Sequence, residues 1–151
     1  MTDDIARSEQ EIAKLIHRYG YLLDAADFEG IATLLAHSSF GSDKLGRAAF
    51  RGHDEILAQF DRTSIPEGTR RTKQIYSNVI VDVDGDRATS LSNFLVLQAT
   101  ATMPLQPIVC GRFEDAFERA SGGWRFAERY IVVELVGNLS ERLYEGTQPY
   151  R

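Results

Sequence analysis

Ile12 to Phe28, IAKLIHRYGYLLDAADF, is the stretch that decides how this chain is read. Apolar side chains fall at Ile12, Leu15, Ile16, Tyr19, Leu22 and Leu23. That is the i, i+3, i+4, i+7 rhythm of a helix with one buried face. Ser8 followed by Glu11 has the capping-box form and predicts a helix start just before the stripe. Asp24 stands where the stripe ends. Asp27 is a good N-cap for a second helix over Phe28 to Ala36. On an ideal helix Asp24 lies about 140° from Tyr19, near the stripe's centre, so periodicity alone puts it in solvent. It turns inward only if the helix ends at about that residue. The functional reading depends on which of these holds.

Further along, His37 to Phe50 carries Gly41 and Gly46 and reads as loop with one or two short strands. Gly52-His53-Asp54-Glu55 opens a third helix with Ile56, Leu57 and Phe60 on its apolar face and acids in its first turn, where the helix dipole favours them. Ser64 to Thr72, with Pro66 and Gly68, reads as a loop. The pattern then changes to strands. Ile75 to Val83 alternates, with Val79, Val81 and Val83 on one face and Asn78 and Asp82 on the other. Asp84-Gly85-Asp86 is a hairpin turn, and Ala88 to Ala99 the returning strand. Met103 to Pro107 connects to a second hairpin, Ile108 to Arg119 and Trp124 to Leu135, across Ser121-Gly122-Gly123. The tail after Gly137 is polar apart from Leu139, Leu143 and Tyr144. Helices first and strands second predict a single α+β domain over 1–151. Three helices on a curved antiparallel sheet would enclose a pocket between the layers.

Composition narrows the partners. A hydrophobic share of 43% and a charged share of 26% are ordinary for a globular chain. A net charge of −5 argues against nucleic acid or an anionic membrane as partner. Arg70, Arg71 and Lys73 form a short basic cluster, read as a solvated loop edge or a phosphate site. The single Cys110 excludes an internal disulfide and is read as a small buried hydrophobe. No charged leader with an apolar run and no apolar run of about 18 residues is present, so a cytoplasmic protein is expected.

His17, His37 and His53 have no metal-ligand spacing, so no metal is expected. No phosphate loop and no nucleophile elbow are present, and no cofactor is expected. Carboxylates remain. Asp24, between Leu22-Leu23 and Ala25-Ala26, becomes a usable general base if apolar surroundings raise its pKa. Arg129, in the strand ERYIVVEL, is either a cross-strand ion-pair partner or an anion-holding group. Tyr19, Tyr76, Phe40 and Phe94 read as core or pocket wall. Gln74 and Gln98 stand in apolar strands and either line a pocket or face water.

Taken together, these residues resemble the SnoaL-like branch of the nuclear transport factor 2-like (cystatin-like) superfamily. The likeness is carried by Arg18-Tyr19, Asp24 and Asp27-Phe28, by Gly52-His53-Asp54, and by Thr72 to Ala88 with Asn78 and Val83-Asp84-Gly85-Asp86. Gly111-Arg112-Phe113-Glu114-Asp115, Gly123-Trp124-Arg125-Phe126, and Leu139-Ser140 with Leu143 extend it over nearly the whole chain. The resemblance implies a cone with a mostly apolar pocket, often in homodimers or homotrimers. It covers polyketide cyclases, scytalone and bile-acid dehydratases, and noncatalytic members, so it does not fix the chemistry. In dehydratase-like members an aspartate ending the first helix works beside a histidine on the first strand of the long hairpin. Asp24 matches the aspartate, Tyr19 an assisting tyrosine and Arg129 an arginine of the last strand. The histidine position holds Gln74, and a second polar position holds Gln98. Glutamine cannot exchange a proton at neutral pH, though its amide can hold an oxygen.

The expectation is therefore a cofactor-independent lyase or isomerase, dehydratase- or cyclase-like, acting on a hydrophobic cyclic small molecule. Asp24 would be the base. Tyr19 and Arg129 would assist, and Gln74, Gln98, Tyr76, Phe40 and Phe94 would bind the substrate. A noncatalytic binding protein or accessory subunit is the alternative. A small partner subunit of an aromatic-ring dioxygenase is a third reading.

Overall fold

The structure, a computed structural model, describes residues 2–62 and 72–140. Most of the Ser64–Thr72 loop, Arg70 and Arg71, and Leu143 and Tyr144 lie outside the described residues. The opening helix, α1, runs Thr2–Asp24 and buries Ile12, Ile16, Tyr19 and Leu23. It begins well before the position expected from Ser8 and Glu11. Ser8 is no cap: it is buried inside the helix, and its hydroxyl accepts from Arg119 Nη2 at 3.1 Å. Asp3 and Asp4 supply the acidic first turn instead. Asp4 also pairs with Arg119 at 3.4 Å, so the apolar stripe marks only the part of the helix that lies on the core.

The second helix, α2, covers Phe28–Leu34, ending short of the expected Ala36. Asp27 caps it as expected, its carboxylate accepting from Gly30 N at 2.8 Å. Two short strands follow, β1 (Ser39–Ser42) and β2 (Gly46–Arg51), then α3 (Gly52–Arg62) with Ile56 and Phe60 buried. Four long strands complete the described chain: β3 (Thr72–Asp84), β4 (Arg87–Gln98), β5 (Gln106–Ala120) and β6 (Gly123–Val136). Each extends beyond its expected bounds on at least one side. Gly85 and Gly123 take φ of +60° and +115° at the two hairpin turns, where a side chain would be strained.

The sheet has six strands in the order β2-β1-β6-β5-β4-β3. Strands β3 to β6 form the expected antiparallel meander. The sheet as a whole is mixed, however, because β1 joins β6 in parallel, with Phe40 beside Arg129. These two strands are remote in sequence, so no hairpin imposes an antiparallel pairing on them.

Alternation sends one side of the meander towards the helices. Ala88, Ser90, Ser92, Phe94, Val96 and Gln98 are buried on β4, and Phe113, Asp115 and Phe117 on β5. On β3 the register shifts between Ser77 and Ile80, where Asn78 has φ +55°. This bulge changes the phase, so Gln74 and Tyr76 before it and Val79, Val81 and Val83 after it are the more buried set. Cys110 is only half-buried, contrary to expectation. It lies on the outer side between Leu95 and Leu135.

Candidate functional site

Helix α1 ends at Asp24, and the chain closes on itself there. Ala26 takes φ +54°, its N–H donates to Leu23 O at 3.1 Å, and Asp27 N–H donates to Leu22 O at 2.9 Å. This ending removes the difficulty posed by helical periodicity. The Asp24 carboxylate turns to β3, where Oδ1 accepts from Gln74 N–H at 2.8 Å. Its other oxygen lies 3.9 Å from Lys73 Nζ, and the side chain is 15% exposed.

Gln74 leads inward from Asp24. Its Oε1 accepts from the Tyr76 hydroxyl at 3.4 Å, and its Nε2 is buried with no hydrogen-bond partner among the described residues. The Tyr76 ring stacks on Tyr19, centroids 6.4 Å apart, and meets Phe113 edge-on at 5.0 Å. Gly20 makes this approach possible: a Cβ there would lie 2.8 Å from Tyr76 Cε2. Burial pushes the Tyr76 hydroxyl well above its ordinary pKa, with Tyr19 adding to the effect. It is a proton donor, not a base, near neutrality.

Arg129 lies deeper and is wholly buried. Its guanidinium carbon is 3.6 Å from the Phe113 ring centroid, 4.0 Å from Tyr19, 5.3 Å from Phe126 and 6.0 Å from Tyr76. Aromatic faces stabilise a buried cation, but they accept none of its N–H groups in the plane of the fork. Asp115 stands opposite Arg129 in the β5–β6 register, its Oδ2 3.6 Å from Nη1. At that distance the charges attract without forming a hydrogen bond. Arg129 Nε, Nη1 and Nη2 and both Asp115 oxygens have no hydrogen-bond partner among the described residues. Burial pushes the Asp115 carboxyl from 3.8 up to about 7, against the opposing pull of Arg129.

The expected site residues thus divide. Tyr19, Asp24, Gln74, Tyr76 and Arg129 form one connected path from the end of α1 to the inner face of β6. Phe94 joins it through Phe113, centroids 4.8 Å apart. Phe40 borders Arg129 on β1 and packs on Phe60 at 5.5 Å. Gln98 is buried but stands apart from Arg129. It pairs with Thr72 and Gln106, eight residues along β4 from Ser90, the neighbour of Asp115. That is roughly 26 Å of strand. Asp115 was absent from the expected set. The signal was present in the alternation Val109, Gly111, Phe113, Asp115, Phe117, which sets an acid on the same side as two phenylalanines.

A groove of about 470 Å³ is lined by Arg47, Asp82, Thr89, Leu91, Glu114 and Glu128. Most of these are outward-facing strand positions, and Asp115 is the one site residue that borders it. Among the described residues no group of three or more His, Cys, Asp or Glu is placed to hold a metal ion. No helix there is long and apolar enough to cross a membrane.

A SnoaL-like domain model matches residues 4–130. Three solved structures share the fold. Rv3472 of Mycobacterium tuberculosis, a protein of unknown function, is 24% identical with a TM-score of 0.77, over 92% of this chain and 83% of its own. A nuclear transport factor 2-like protein with a cystatin-like fold from Novosphingobium aromaticivorans is 24% identical, TM-score 0.73, over 92% and 89%. A candidate scytalone dehydratase from the same organism is 23% identical, TM-score 0.74, over 91% of each chain. No curated protein matches the sequence.

Proposed function

Since the chain belongs to the SnoaL-like family, we propose that it is a cofactor-independent lyase or isomerase acting on an apolar cyclic small molecule, with Asp24 as general base. The observation that carries this reading is the inward turn of Asp24 at the end of α1, joined through Gln74 and Tyr76 to the buried Arg129. In this scheme the substrate's ring lies against Tyr19, Tyr76, Phe94 and Phe113. Asp24 removes a proton from carbon. Negative charge grows on a substrate oxygen and is held by Arg129 and by the Tyr19 and Tyr76 hydroxyls, an oxyanion-type role. General-base catalysis of this kind contributes roughly 10²–10⁴-fold. The likeness to a candidate scytalone dehydratase is in keeping with a dehydratase- or cyclase-like reaction, although Gln74 stands where the resemblance read from the sequence implies a histidine.

A second reading is a noncatalytic binding protein. Gln74 and Gln98 favour it, since neither amide can exchange a proton in the neutral range. In either case a homodimer or homotrimer acting in the cytoplasm is proposed. An outer-side row of Ile75, Leu95, Cys110 and Leu135 crosses four strands in register and supports self-association.

The test is a thermal-shift screen of wild type and Asp24→Asn against steroids, polyketide-like aromatics and terpenoids, with mass spectrometry of each stabilising ligand after incubation. Catalysis predicts a ligand that stabilises both proteins and is converted only by wild type. Conversion at full rate by Asp24→Asn sinks the mechanism. Stabilisation of both without conversion selects the binding-protein reading.

A further inference from the structure

We infer that Arg129 and Asp115 together form a proton-coupled receptor for an anionic oxygen: a ring compound bearing a carboxylate, phenolate or enolate docks that oxygen on Arg129 while Asp115 takes up a proton from solvent. The inference rests on the reading above for where the ligand lies, but not on any catalysis there.

The argument starts from unmet hydrogen bonding. A guanidinium carries five N–H donors in a fixed fork suited to two acceptor oxygens. Arg129 is wholly buried, and none of its nitrogens has a hydrogen-bond partner among the described residues. A buried charge held only by ring faces and a carboxylate at 3.6 Å keeps most of its desolvation cost. A buried structural pair would close to hydrogen-bond distance and satisfy its remaining lone pairs. This one does neither. Gln74 Nε2 and Ser90 Oγ are also buried without hydrogen-bond partners among the described residues, the first on the Asp24 side of the path and the second beside Asp115 in register.

Charge balance then dictates the coupling. With Asp115 ionised the pair is neutral. An incoming oxyanion would leave one net negative charge among Phe113, Phe126 and Tyr19. The groups acting on Asp115 do not relieve this. Glu128 of β6 is another acid, Tyr19 of α1 presents a phenol, Tyr76 of β3 holds its proton near neutrality, and Asp24 ends α1 as a further carboxylate. Protonation of Asp115 restores neutrality, and its carboxyl already titrates at about 7. The step is Asp115–COO⁻ plus H⁺ giving Asp115–COOH, with no covalent change in the ligand.

Isothermal titration calorimetry with 2-naphthoate and its neutral isostere 2-naphthamide, in phosphate and in Tris, counts the protons. Naphthoate is expected to bind wild type at least about tenfold more tightly than naphthamide. It should take up close to one proton per ligand at pH 8 and almost none at pH 6, with its affinity rising about tenfold between them. Naphthamide should show neither effect. Asp115→Asn should keep naphthoate binding and take up no proton at either pH. The Arg129→Met/Asp115→Leu double variant, which replaces the pair by apolar groups and so protects folding, should bind naphthamide alone. Asp24→Asn should still prefer naphthoate to naphthamide and still take up a proton with it at pH 8, which separates this inference from the proposed catalysis. Equal affinity for the two probes, failure of both to bind, or naphthoate binding at pH 8 without proton uptake would overturn it.

Discussion

Asp24 and Asp115 are two carboxylates that the fold treats differently. Asp24 keeps some contact with water and accepts a backbone N–H. Asp115 is buried and has gained no hydrogen bond among the described residues. The stability consequence of the second has a definite sign. A carboxyl whose folded pKa is raised holds its proton in the native state while the unfolded chain has released it. Its contribution is complete below the unfolded value of 3.8 and is lost as pH rises through about 7. Urea unfolding is therefore expected to show stability falling from pH 5 to pH 8, by up to about 2.6 kcal/mol from this residue. Asp115→Asn should flatten that slope, and an unchanged slope would show that Asp115 is ionised well below neutrality. At this scale the sequence was legible where a residue ended a pattern. Asp24 stood out because the apolar stripe stopped there. Asp115 did not, because a charged residue within a strand is normally assigned to the outer face, and only the phase set by Phe113 and Phe117 says otherwise.

Elements were legible in kind and less so in extent. The stripe from Ile12 to Leu23 identified α1, but the first turns leave their one large apolar side chain, Ile5, exposed and are held by Arg119, which binds Asp4, Ser8 and Asp86. A contact of that sort, between residues more than a hundred positions apart, leaves no local signal. The bulge at Asn78 was hidden for a related reason: alternation on either side of it looks regular, and only the pairing with β4 reveals the change of phase. Close backbone approach is equally silent. A Cβ at Gly111 would lie 2.0 Å from Val132 O on the neighbouring strand. Backbone cannot yield as a side-chain tip can, so Gly111→Ala should destabilise the protein by about 1–3 kcal/mol or more in urea unfolding.

Helices α2 and α3 are joined by His53, whose ring nitrogens lie 2.7 Å from Asp54 Oδ1 and 2.6 Å from Glu29 Oε1. The hydrogen bond with Asp54, then that with Glu29, raises the His53 pKa. An NMR titration should find its midpoint above the ordinary histidine value and lower in Glu29→Gln. The linked stability is present below the unfolded pKa of 6.5 and is lost as pH rises through the folded one. A midpoint unmoved by Glu29→Gln would show that the α2 contact is not maintained in solution.

For the whole molecule, the order helices-then-strands was enough to expect helices on a sheet, because each strand of the meander pairs with its neighbour in sequence. The parallel join of β1 to β6 was not readable, since nothing in either segment names a partner so distant. That join sets Phe40 beside Arg129 and so contributes to the site. The outer side carries Ile75 and Leu135, 43% and 68% exposed, at the two ends of one apolar row. If copies of the chain associate through it, Leu135→Glu should shift the oligomer to monomer by sedimentation velocity while leaving the far-ultraviolet circular dichroism unchanged. An unaltered sedimentation coefficient would locate the interface elsewhere.

Proton abstraction by Asp24 is best tested by deuterium incorporation, which reports the base even where no net product forms. Each ligand that stabilises the protein would be incubated in D2O with wild type and with Asp24→Asn and followed by mass spectrometry. The account predicts deuterium at a ligand carbon with wild type and at least about 100-fold slower incorporation with Asp24→Asn, at similar binding. Equal incorporation with both proteins, or none with wild type for any ligand that binds, would contradict it.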